Sequence, residues 1–251
     1  MCNLYNITTT QEAIRQLARV MRDIAGNLQP SLDVYPDYKA PIVRNIDGVR
    51  ELAMVRWGMP GSRKTLLDAA MLRAEKLRRK GTPVEFDQLL RMEPDSGLTN
   101  VRNTTSSHWQ RWMGVDHRCV VPVTSFAEPD PANKPGGGRT PNAWFARDES
   151  RPLMFFAGIW VPEWESVRKV REGLTVNDLF AFLTTEPNDV VAPIHPKAMP
   201  VLLTEPEEIE AWLTAPWEEA KSLQRPLADD KLVTVPAPTP EATAPQQATL
   251  L

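Results

Sequence analysis

Cys2 carries the most unusual chemistry in this sequence. It directly follows Met1, and because cysteine is small, we expect an initiator Met in front of it to be removed. Removal would leave an α-amine and a thiol on adjacent carbons, and such an aminothiol condenses with an aldehyde to form a thiazolidine ring. The amine has an ordinary pKa near ~8 and the thiol one near ~8.5, so part of each is deprotonated at cellular pH. Position alone favours a chance cysteine at a loose terminus, so the choice depends on the residues downstream.

Further polar segments lie where they can converge on the N-terminal cysteine. Asn100 and Arg102 occupy a polar stretch before a predicted short helix, and Glu128 follows an apolar predicted strand. Residues 184–188 end another predicted strand, and His195 lies in a tight turn just before the next one. Loops at strand ends are where a rigid scaffold presents functional groups. Taken singly, these residues are also explained as a helix cap, a surface carboxylate and a turn residue.

Hydrophobic periodicity and turn signals predict the elements that hold these segments. A short helix beginning at Ser106 or Ser107 follows the segment of Asn100, with aromatic residues on one buried face. Apolar stretches predict strands at residues 52–57, 119–123, 143–146, 153–160, 179–184, 199–203 and 232–235. Strands joined by short turns, with helices near both ends of the chain, indicate one α+β domain. We expect a mainly antiparallel, barrel-like β-sheet with flanking helices.

The N-terminal helix is predicted from a capping box. Residues 9–12 read Thr-Thr-Gln-Glu, and apolar residues then recur at helical spacing from Ile14 to Ala25. Gly26 is expected to end the helix, and residues 27–41 are expected to form a loop. Such a helix would pack on the core and anchor the segment that carries the N-terminal cysteine.

A basic insertion is predicted at about residues 62–95 of this acidic sequence. A helix expected from residue 65 to residue 80 has an apolar face that includes Leu67 and Met71. Its other face and flanks carry a run of basic residues: Arg63, Lys64, Arg73, Lys76, Arg78, Arg79 and Lys80. A solvated helix face is the favoured explanation of this run. The alternative is a surface that follows DNA phosphates, with Arg63 and Lys64 as its candidate contacts.

The composition limits the classes of protein. A net charge of −3 and a pI of about 5.7 make general affinity for nucleic acid weak, so any polyanion site must be a local basic patch. No apolar run reaches the length of a membrane span and no signal peptide is visible, so we expect a cytoplasmic protein that binds no membrane. Cys2 and Cys119 form no disulfide framework, and Cys119 in its apolar strand is expected to be an inert buried thiol.

Other expectations concern ligands, assembly and the tail. Cysteine and histidine are too few and too poorly spaced for a zinc site, so we expect no metal and no cofactor. No coiled coil or sticky strand is visible, which favours a monomer. Residues 236–251 are rich in Pro, Ala, Thr and Gln, which predicts a disordered tail after a catalytic domain spanning residues 1–235.

The order and context of these segments resemble the SRAP family, the SOS response-associated peptidases or abasic-site-shielding proteins. That family typically has an initiator Met-Cys, an Asn-x-Arg segment and a Cys-x-Val-Pro strand leading to Glu. A Thr-Thr-Glu-x-Asn segment and an Ile-His turn followed by Pro-Val complete the pattern. The matching positions here are Cys2, Asn100 with Arg102, and residues 119–128, 184–188 and 194–201. The resemblance covers residue 1 to about residue 213, and the combination is specific although each motif alone is weak.

The resemblance implies a barrel-like, mainly β fold with an active site built on the mature N-terminal Cys2. Its members bind single-stranded DNA and trap the ring-opened aldehyde of an abasic site as a thiazolidine that shields the strand. By family position, Asn100 would orient the Cys2 amine, and Arg102 would hold a backbone phosphate. Glu128 would move protons during sugar opening and carbinolamine loss, and His195 would act on the sugar oxygen. The implied partner is single-stranded DNA that contains abasic sites, which would associate the protein with the nucleoid.

Several positions depart from the family pattern. Asn3 and Leu4 follow the N-terminal cysteine where the family commonly has Gly-Arg, so a phosphate-contacting arginine is missing. Thr104 stands where the Asn-x-Arg segment usually continues to Glu, and residues 61–64 replace an expected pair of tryptophans. These departures indicate a divergent subgroup that keeps the core chemistry on an altered DNA-contacting surface.

Two alternatives stay open at this point. The first is a cysteine autoprotease or peptidase, in which the Cys2 thiolate is a nucleophile activated by His195 and Met1 is the residue removed. It differs from adduct formation because thiol hydrolysis needs no free α-amine. The second is a single-strand-binding module without catalysis, whose affinity for DNA would be unchanged by Cys2→Ala.

Overall fold

The computed structural model describes residues 2–239, which form a β-rich fold with short helices around it. The strands are β1 (Leu4–Ile7), β2 (Arg22–Asp23), β3 (Ser31–Val34), β4 (Lys39–Ile46), β5 (Val49–Trp57), β6 (Asn100–Val101), β7 (Arg118–Val123), β8 (Ser125–Pro129), β9 (Asn142–Ala146), β10 (Met154–Val167), β11 (Leu174–Thr185), β12 (Met199–Pro200), β13 (Leu202–Leu203) and β14 (Val233–Val235). The helices are α1 (Gln11–Leu17), α2 (Arg63–Arg79), α3 (Phe86–Arg91), α4 (Ser107–Gln110), α5 (Pro206–Thr214) and α6 (Trp217–Ala220). Of the predicted tail, residues 236–239 contain no helix or strand, and residues 240–251 lie outside the described residues.

Five strands close into a barrel. β10 runs antiparallel to β11 and β7, β7 pairs with β4, and β4 pairs with β5. A short parallel pairing of β5 with β11, with Trp57 opposite Phe180, closes the ring. The predicted α+β fold with a mainly antiparallel, barrel-like sheet and flanking helices is therefore confirmed.

Aromatic rings fill the barrel interior. The Tyr5 ring packs edge-on against Trp57 at 5.3 Å and Phe156 at 5.4 Å between centroids. Phe156 in turn stacks on Phe182 at 4.3 Å. Edge-on and stacked pairs are the favourable arrangements of aromatic rings, so Tyr5 ties the start of the chain firmly to the core. Cys119 is fully buried beside these rings, as expected for a structural thiol.

A second sheet places the start of the chain next to the segment of Glu128. Its strand order is β14-β9-β8-β1-β3, so β1 lies between β8 and β3. Leu4 is opposite Ala127 in the antiparallel pair of β1 with β8. Because Glu128 follows Ala127 on β8, this register places its carboxyl group near the residues that precede β1.

The predicted N-terminal helix is shorter than expected. α1 begins as the capping box indicates but ends at Leu17 instead of near Ala25. Arg19 adopts a left-handed φ of 52°, which ends the helical path. The backbone N–H of Met21 then donates to the Arg50 carbonyl at 2.8 Å, and the chain continues as β2 beside β5. Pairing with the sheet therefore overrides the helical spacing of the apolar residues.

The basic insertion folds as a helical hairpin of α2 and α3. The Ser62 hydroxyl accepts a hydrogen bond from the backbone of Thr65 and caps α2. The buried residues of α2 are Ala70 and Ala74, whereas Met71 of the predicted apolar face is exposed. Ala70 thus takes the place of Met71 on the buried face, whereas Ala74 of the predicted face is buried as expected.

Candidate active site

Cys2 lies just before β1 and is fully buried. Its Sγ donates to the Leu4 carbonyl at 3.4 Å. Burial raises the pKa of the Cys2 thiol far above its ordinary value, and the negative charge of Glu128 raises it further. Both effects favour the protonated thiol over the thiolate.

Asn100 holds the backbone of Cys2. β6 runs parallel to β11, with Asn100 opposite Phe182, and this pairing brings the amide to the start of the chain. Its Nδ2 donates to the Cys2 carbonyl at 3.0 Å and to Thr99 Oγ1 at 2.7 Å, and Thr99 Oγ1 donates to Asn3 Oδ1 at 3.1 Å. The Asn100 Oδ1 is buried and has no hydrogen-bond partner among residues 2–239. The amide thus has an acceptor available for an N–H donor near Cys2.

Glu128 is a fully buried carboxyl group on β8. Burial raises its pKa, and the positive charge of His195 opposes this shift. Charged forms of buried carboxyl groups are disfavoured because they lose hydration. Glu128 therefore keeps its proton to a higher pH than an exposed glutamate does.

His195 is held in a tight turn before β12. Its ring Nδ1 lies 2.7 Å from the Ala198 carbonyl oxygen and 3.3 Å from the Ala198 nitrogen. The His195 backbone N–H donates to Val191 at 2.9 Å, and the Val191 N–H donates to Asn188 Oδ1 at 3.1 Å. The contacts of Nδ1 with Ala198 fix the orientation of the ring within the turn.

The fold brings together the four predicted catalytic candidates. Asn100 donates to Cys2, the Glu128 charge acts on the Cys2 thiol, and the His195 charge acts on Glu128. They come from four separate places in the chain: the start of β1, β6, β8 and the turn before β12. A thiol, an amide, a carboxyl group and an imidazole meet here, with Cys2 and Glu128 fully buried and Asn100 and His195 partly buried. Their catalytic roles remain predictions.

Arg102 lies at the rim of this site. It follows β6, its side chain is 47% exposed, and its Nη2 lies 3.7 Å from Glu186 Oε2. Thr185 Oγ1 donates to the same carboxylate oxygen at 3.0 Å. Exposed ion pairs of this kind are weak. Glu186 belongs to the 184–188 motif, but no sequence signal indicated that it pairs with Arg102.

Arg63 and Lys64, the other predicted DNA contacts, lie on the helical hairpin. Both are exposed in the first turn of α2. Lys64 Nζ pairs with Asp68 one turn later at 3.0 Å. This pairing is typical of a solvated helix face, and such exposed pairs are weak.

Within residues 2–239, no group of three or more His, Cys, Asp and Glu side chains is arranged to hold a metal ion. In the same part of the chain, every helix is too short or too polar to cross a membrane.

The protein is a closed barrel with a buried cysteine at the start of the chain. An amide, a carboxyl group and an imidazole lie around this cysteine. The fold and the site together define an α+β protein with an N-terminal cysteine site. The sequence profile described as SOS response associated peptidase (SRAP) matches residues 1–239. The chain therefore belongs to the SRAP family, which is associated with the response to DNA damage.

Solved structures show the same fold. A protein from Bordetella bronchiseptica superposes with a TM-score of 0.60 at 23% identity, over 93% of this chain and 98% of that one. A protein from Bacteroides thetaiotaomicron gives a TM-score of 0.59 at 20% identity, over 97% and 99% of the two chains. A phage-related protein from B. bronchiseptica gives 0.55 at 17% identity, over 89% and 87%. At these identities the likeness concerns the fold alone. No curated protein matches the sequence.

Proposed function

We propose that this protein shields abasic sites in single-stranded DNA by forming a thiazolidine crosslink through the mature N-terminal Cys2. The observation that carries the proposal is the hydrogen bond from Asn100 to the Cys2 carbonyl beside the buried Glu128 carboxyl group. It fixes the residue that supplies both nucleophiles next to a group that keeps a proton. Membership of a family associated with DNA damage is consistent with this substrate.

The chemistry joins one aldehyde and one aminothiol with loss of one water. Hydrolysis of the Met1–Cys2 peptide bond first frees the amine of Cys2. The amine nitrogen attacks the C1′ aldehyde of the ring-opened sugar, and a proton moves from nitrogen to oxygen to give a carbinolamine. Its hydroxyl leaves as water with a proton from an acid, which forms an iminium ion. The thiol then loses its proton and adds to the iminium carbon, so that one C–N and one C–S bond have replaced the C=O bond.

Glu128 fits both proton transfers of this sequence. Its raised pKa keeps a proton available for the departing hydroxyl. The resulting carboxylate can then accept the proton of the Cys2 thiol, which restores Glu128 to its starting form. The iminium charge offsets the burial that raises the thiol pKa, so ionisation becomes favourable at the step that needs it.

His195 and Arg102 would serve the sugar and the strand. Opening of the closed sugar requires one group to accept the C1′ hydroxyl proton and another to donate to the ring oxygen. Glu128 and His195 are the neighbouring pair that can share these transfers. Arg102 would contact a backbone phosphate at the rim, and Arg63 and Lys64 would contact phosphates farther along the strand.

The alternatives need different properties of Cys2. A thiol peptidase acts through a thiolate, which positive neighbours usually stabilise. Here burial and Glu128 both raise the pKa of the thiol, so the resting site favours the amine as first nucleophile. A binding module without catalysis would need neither the amine nor Glu128. Undiminished DNA affinity together with an absence of adduct would identify it.

Intact mass measurement tests the proposal. The protein is incubated with a single-stranded oligonucleotide that carries one abasic site, and an undamaged oligonucleotide is the substrate control. We expect a mass equal to the mature protein plus the oligonucleotide minus one water. Cys2→Ala should form no such product, and Cys119→Ala should form it normally. A lack of adduct from protein that has demonstrably lost Met1 would overturn the proposal.

A further inference from the structure

We infer that Gln224 is a positioning residue that holds Arg102 where it can take a phosphate of the bound strand. The inference rests on the proposed function, in which Arg102 contacts the DNA backbone. Gln224 lies shortly after α6, far from Arg102 in sequence, and its side chain is half-buried at the rim of the site.

The side-chain amide of Gln224 connects separate backbone segments. Its Nε2 donates to the Arg102 carbonyl at 2.9 Å and to the Thr184 carbonyl at 3.0 Å. Its Oε1 accepts a hydrogen bond from Thr104 Oγ1 at 2.9 Å. Both N–H groups and the carbonyl oxygen of the amide are therefore engaged.

These hydrogen bonds continue the short pairing of β6 with β11 beyond its last backbone pair. β6 pairs with β11 only at Asn100 opposite Phe182 and Val101 opposite Leu183. In the same register the next pair is Arg102 opposite Thr184, which is the pair that Gln224 bridges. A ladder this short is a weak connection, and the amide joins the strand ends where backbone pairing stops.

Thr104 fixes the direction in which the amide points. Its hydroxyl is almost fully buried and donates to Gln224 Oε1, which turns Nε2 toward the two carbonyl groups. An ionised glutamate at position 104 has no hydrogen to donate and would repel Oε1. The threonine that departs from the family pattern therefore matches this glutamine.

The ends of β6 and β11, which Gln224 joins, carry exposed charged residues at the rim of the site. Arg102 lies on one of them, and Glu186 lies two residues after Thr184 on the other, 3.7 Å from the guanidinium group. Fixing the backbones at Arg102 and Thr184 holds the chain positions from which the Arg102 and Glu186 side chains extend. Loss of the amide would release both ends, so strand capture should weaken while the chemistry at Cys2 remains.

The test compares Gln224→Met with a matched control, Gln11→Met. The Gln11 amide also makes three hydrogen bonds, to Asp23 Oδ2 at 2.7 Å, the Gly26 carbonyl at 2.8 Å and the Leu28 N–H at 3.1 Å. Gln11 lies beyond the opposite end of β1 from Cys2. Its replacement reproduces the loss of a partly buried amide that makes three hydrogen bonds, at a place away from the rim.

Two measurements are made on the full chain. Affinity for an undamaged single-stranded oligonucleotide is measured by fluorescence anisotropy over a range of salt concentrations. The crosslinking rate with an abasic oligonucleotide is measured over a range of oligonucleotide concentrations. For Gln224→Met we expect a half-saturating concentration about five- to tenfold higher, an unchanged rate at saturation, and a salt slope smaller by about 0.7, as for one lost phosphate contact on a single strand. Gln11→Met should change none of these.

Arg102→Ala should give the same changes, and adding Gln224→Met to it should have little further effect because both act through one contact. Additive losses, or wild-type behaviour of Gln224→Met, would overturn the inference and leave the proposed function intact. If the wild type binds DNA but forms no adduct, the proposed function fails, and the salt slopes with undamaged DNA still decide the inference. Failure of the wild type to bind either oligonucleotide would overturn both.

Discussion

At the scale of single residues, the buried carboxyl group of Glu128 is suited to proton transfer, but its ionised form lowers the stability of the folded protein. Burial raises its pKa, so the folded protein favours the protonated form more than the unfolded chain does. With respect to this group, the folded state is most stable below the ordinary glutamate pKa of about 4.3. This stability is lost as the pH rises through the pKa of Glu128 in the folded protein. Groups that serve proton transfer are often held in such costly environments.

We predict opposite effects of Glu128→Gln on activity and stability. The variant keeps the shape of the side chain but removes its charge and its proton. The crosslinking rate should fall about 10²- to 10⁴-fold, the usual contribution of a general acid or base. Melting temperatures should be higher than those of the wild type at about pH 8, and the difference should vanish toward about pH 4, where the wild-type carboxyl group is protonated in both states.

Glu165→Gln is the control for this prediction because it makes the same change at an exposed position on β10. It should alter neither the crosslinking rate nor the dependence of melting temperature on pH. A Glu128→Gln variant that melts below the wild type at about pH 8 would contradict the assignment of a buried, proton-holding carboxyl group.

The candidate site residues were recognisable in the sequence, but the residues that hold them in position were not. Cys2, Asn100, Glu128 and His195 stand in motifs whose order is informative, and the fold brings them together. Gln224 carries no such signal because its bonding partners lie 122, 120 and 40 positions away. Such contacts follow from tertiary packing, which local patterns do not contain.

At the scale of elements, strands with a clear local apolar pattern were predicted from the sequence, and strands without one were missed. Strands with continuous apolar runs, such as β7 and the first half of β10, were predicted within a few residues of their bounds. β4 was missed because Lys39, Pro41, Arg44 and Asn45 interrupt its apolar pattern. Arg44 is accommodated inside the sheet because Glu51 of β5 accepts two hydrogen bonds from it, at 3.1 Å and 3.0 Å. Buried ion pairs between strands are therefore a feature that hydrophobic periodicity overlooks.

The helical hairpin supplies an element-scale prediction about DNA contact. The Gly61 N–H, just before α2, donates to Asp95 Oδ2 at 2.8 Å, and the Asp95 N–H donates to the Val167 carbonyl of β10 at 2.8 Å, which attaches the hairpin to the sheet. We expect the Arg63→Ala, Lys64→Ala double variant to lower the affinity for single-stranded DNA and to reduce the salt slope by about 1.4, as for two lost phosphate contacts. Anisotropy titrations over a range of salt concentrations measure both quantities.

The control removes the same amount of charge from the other end of the same helix. Arg78→Ala with Lys80→Ala changes exposed residues at the end of α2. This variant should lower the affinity less, and the salt slope should stay near that of the wild type. Equal effects of the two double variants would show that α2 acts only through its overall charge, as a solvated helix face does.

At the scale of the whole molecule, Asp37 joins the barrel to the segments around it. It lies in the turn between β3 and β4 and accepts hydrogen bonds from Arg56 at 2.6 Å and 2.7 Å. Arg168 donates to it at 3.2 Å, and Lys169 pairs with it at 2.8 Å. Arg168 also donates to the Ser96 carbonyl at 3.3 Å, which connects this cluster to the end of the basic insertion. The Asp37 carboxylate thus binds three cationic side chains: Arg56 of β5, and Arg168 and Lys169, which directly follow β10.

We predict that Asp37→Asn destabilises the protein in a manner that depends on pH. Burial opposes ionisation of Asp37, but hydrogen bonds and charges from Arg56 and Lys169 hold its pKa well below the usual range. A lowered pKa contributes stability above the ordinary aspartate pKa of about 3.9, and this stability is lost as the pH falls through the native value. At neutral pH we expect unfolding free energies measured in urea to fall by about 3 kcal/mol, as for a broken buried ion pair.

The substitution isolates charge from backbone conformation. Asp37 has a left-handed φ of 71°, which asparagine also adopts readily, so the turn itself should persist. Asp47→Asn makes the same change in the exposed turn between β4 and β5, where φ is 50°, and should leave the stability near that of the wild type. The loss caused by Asp37→Asn should shrink as the pH is lowered from about 4 toward about 2, because the unfolded wild-type chain then binds a proton that the folded carboxylate does not. A loss that stays constant over this range would mean that packing of the turn, and not the charge on Asp37, joins the barrel to the insertion.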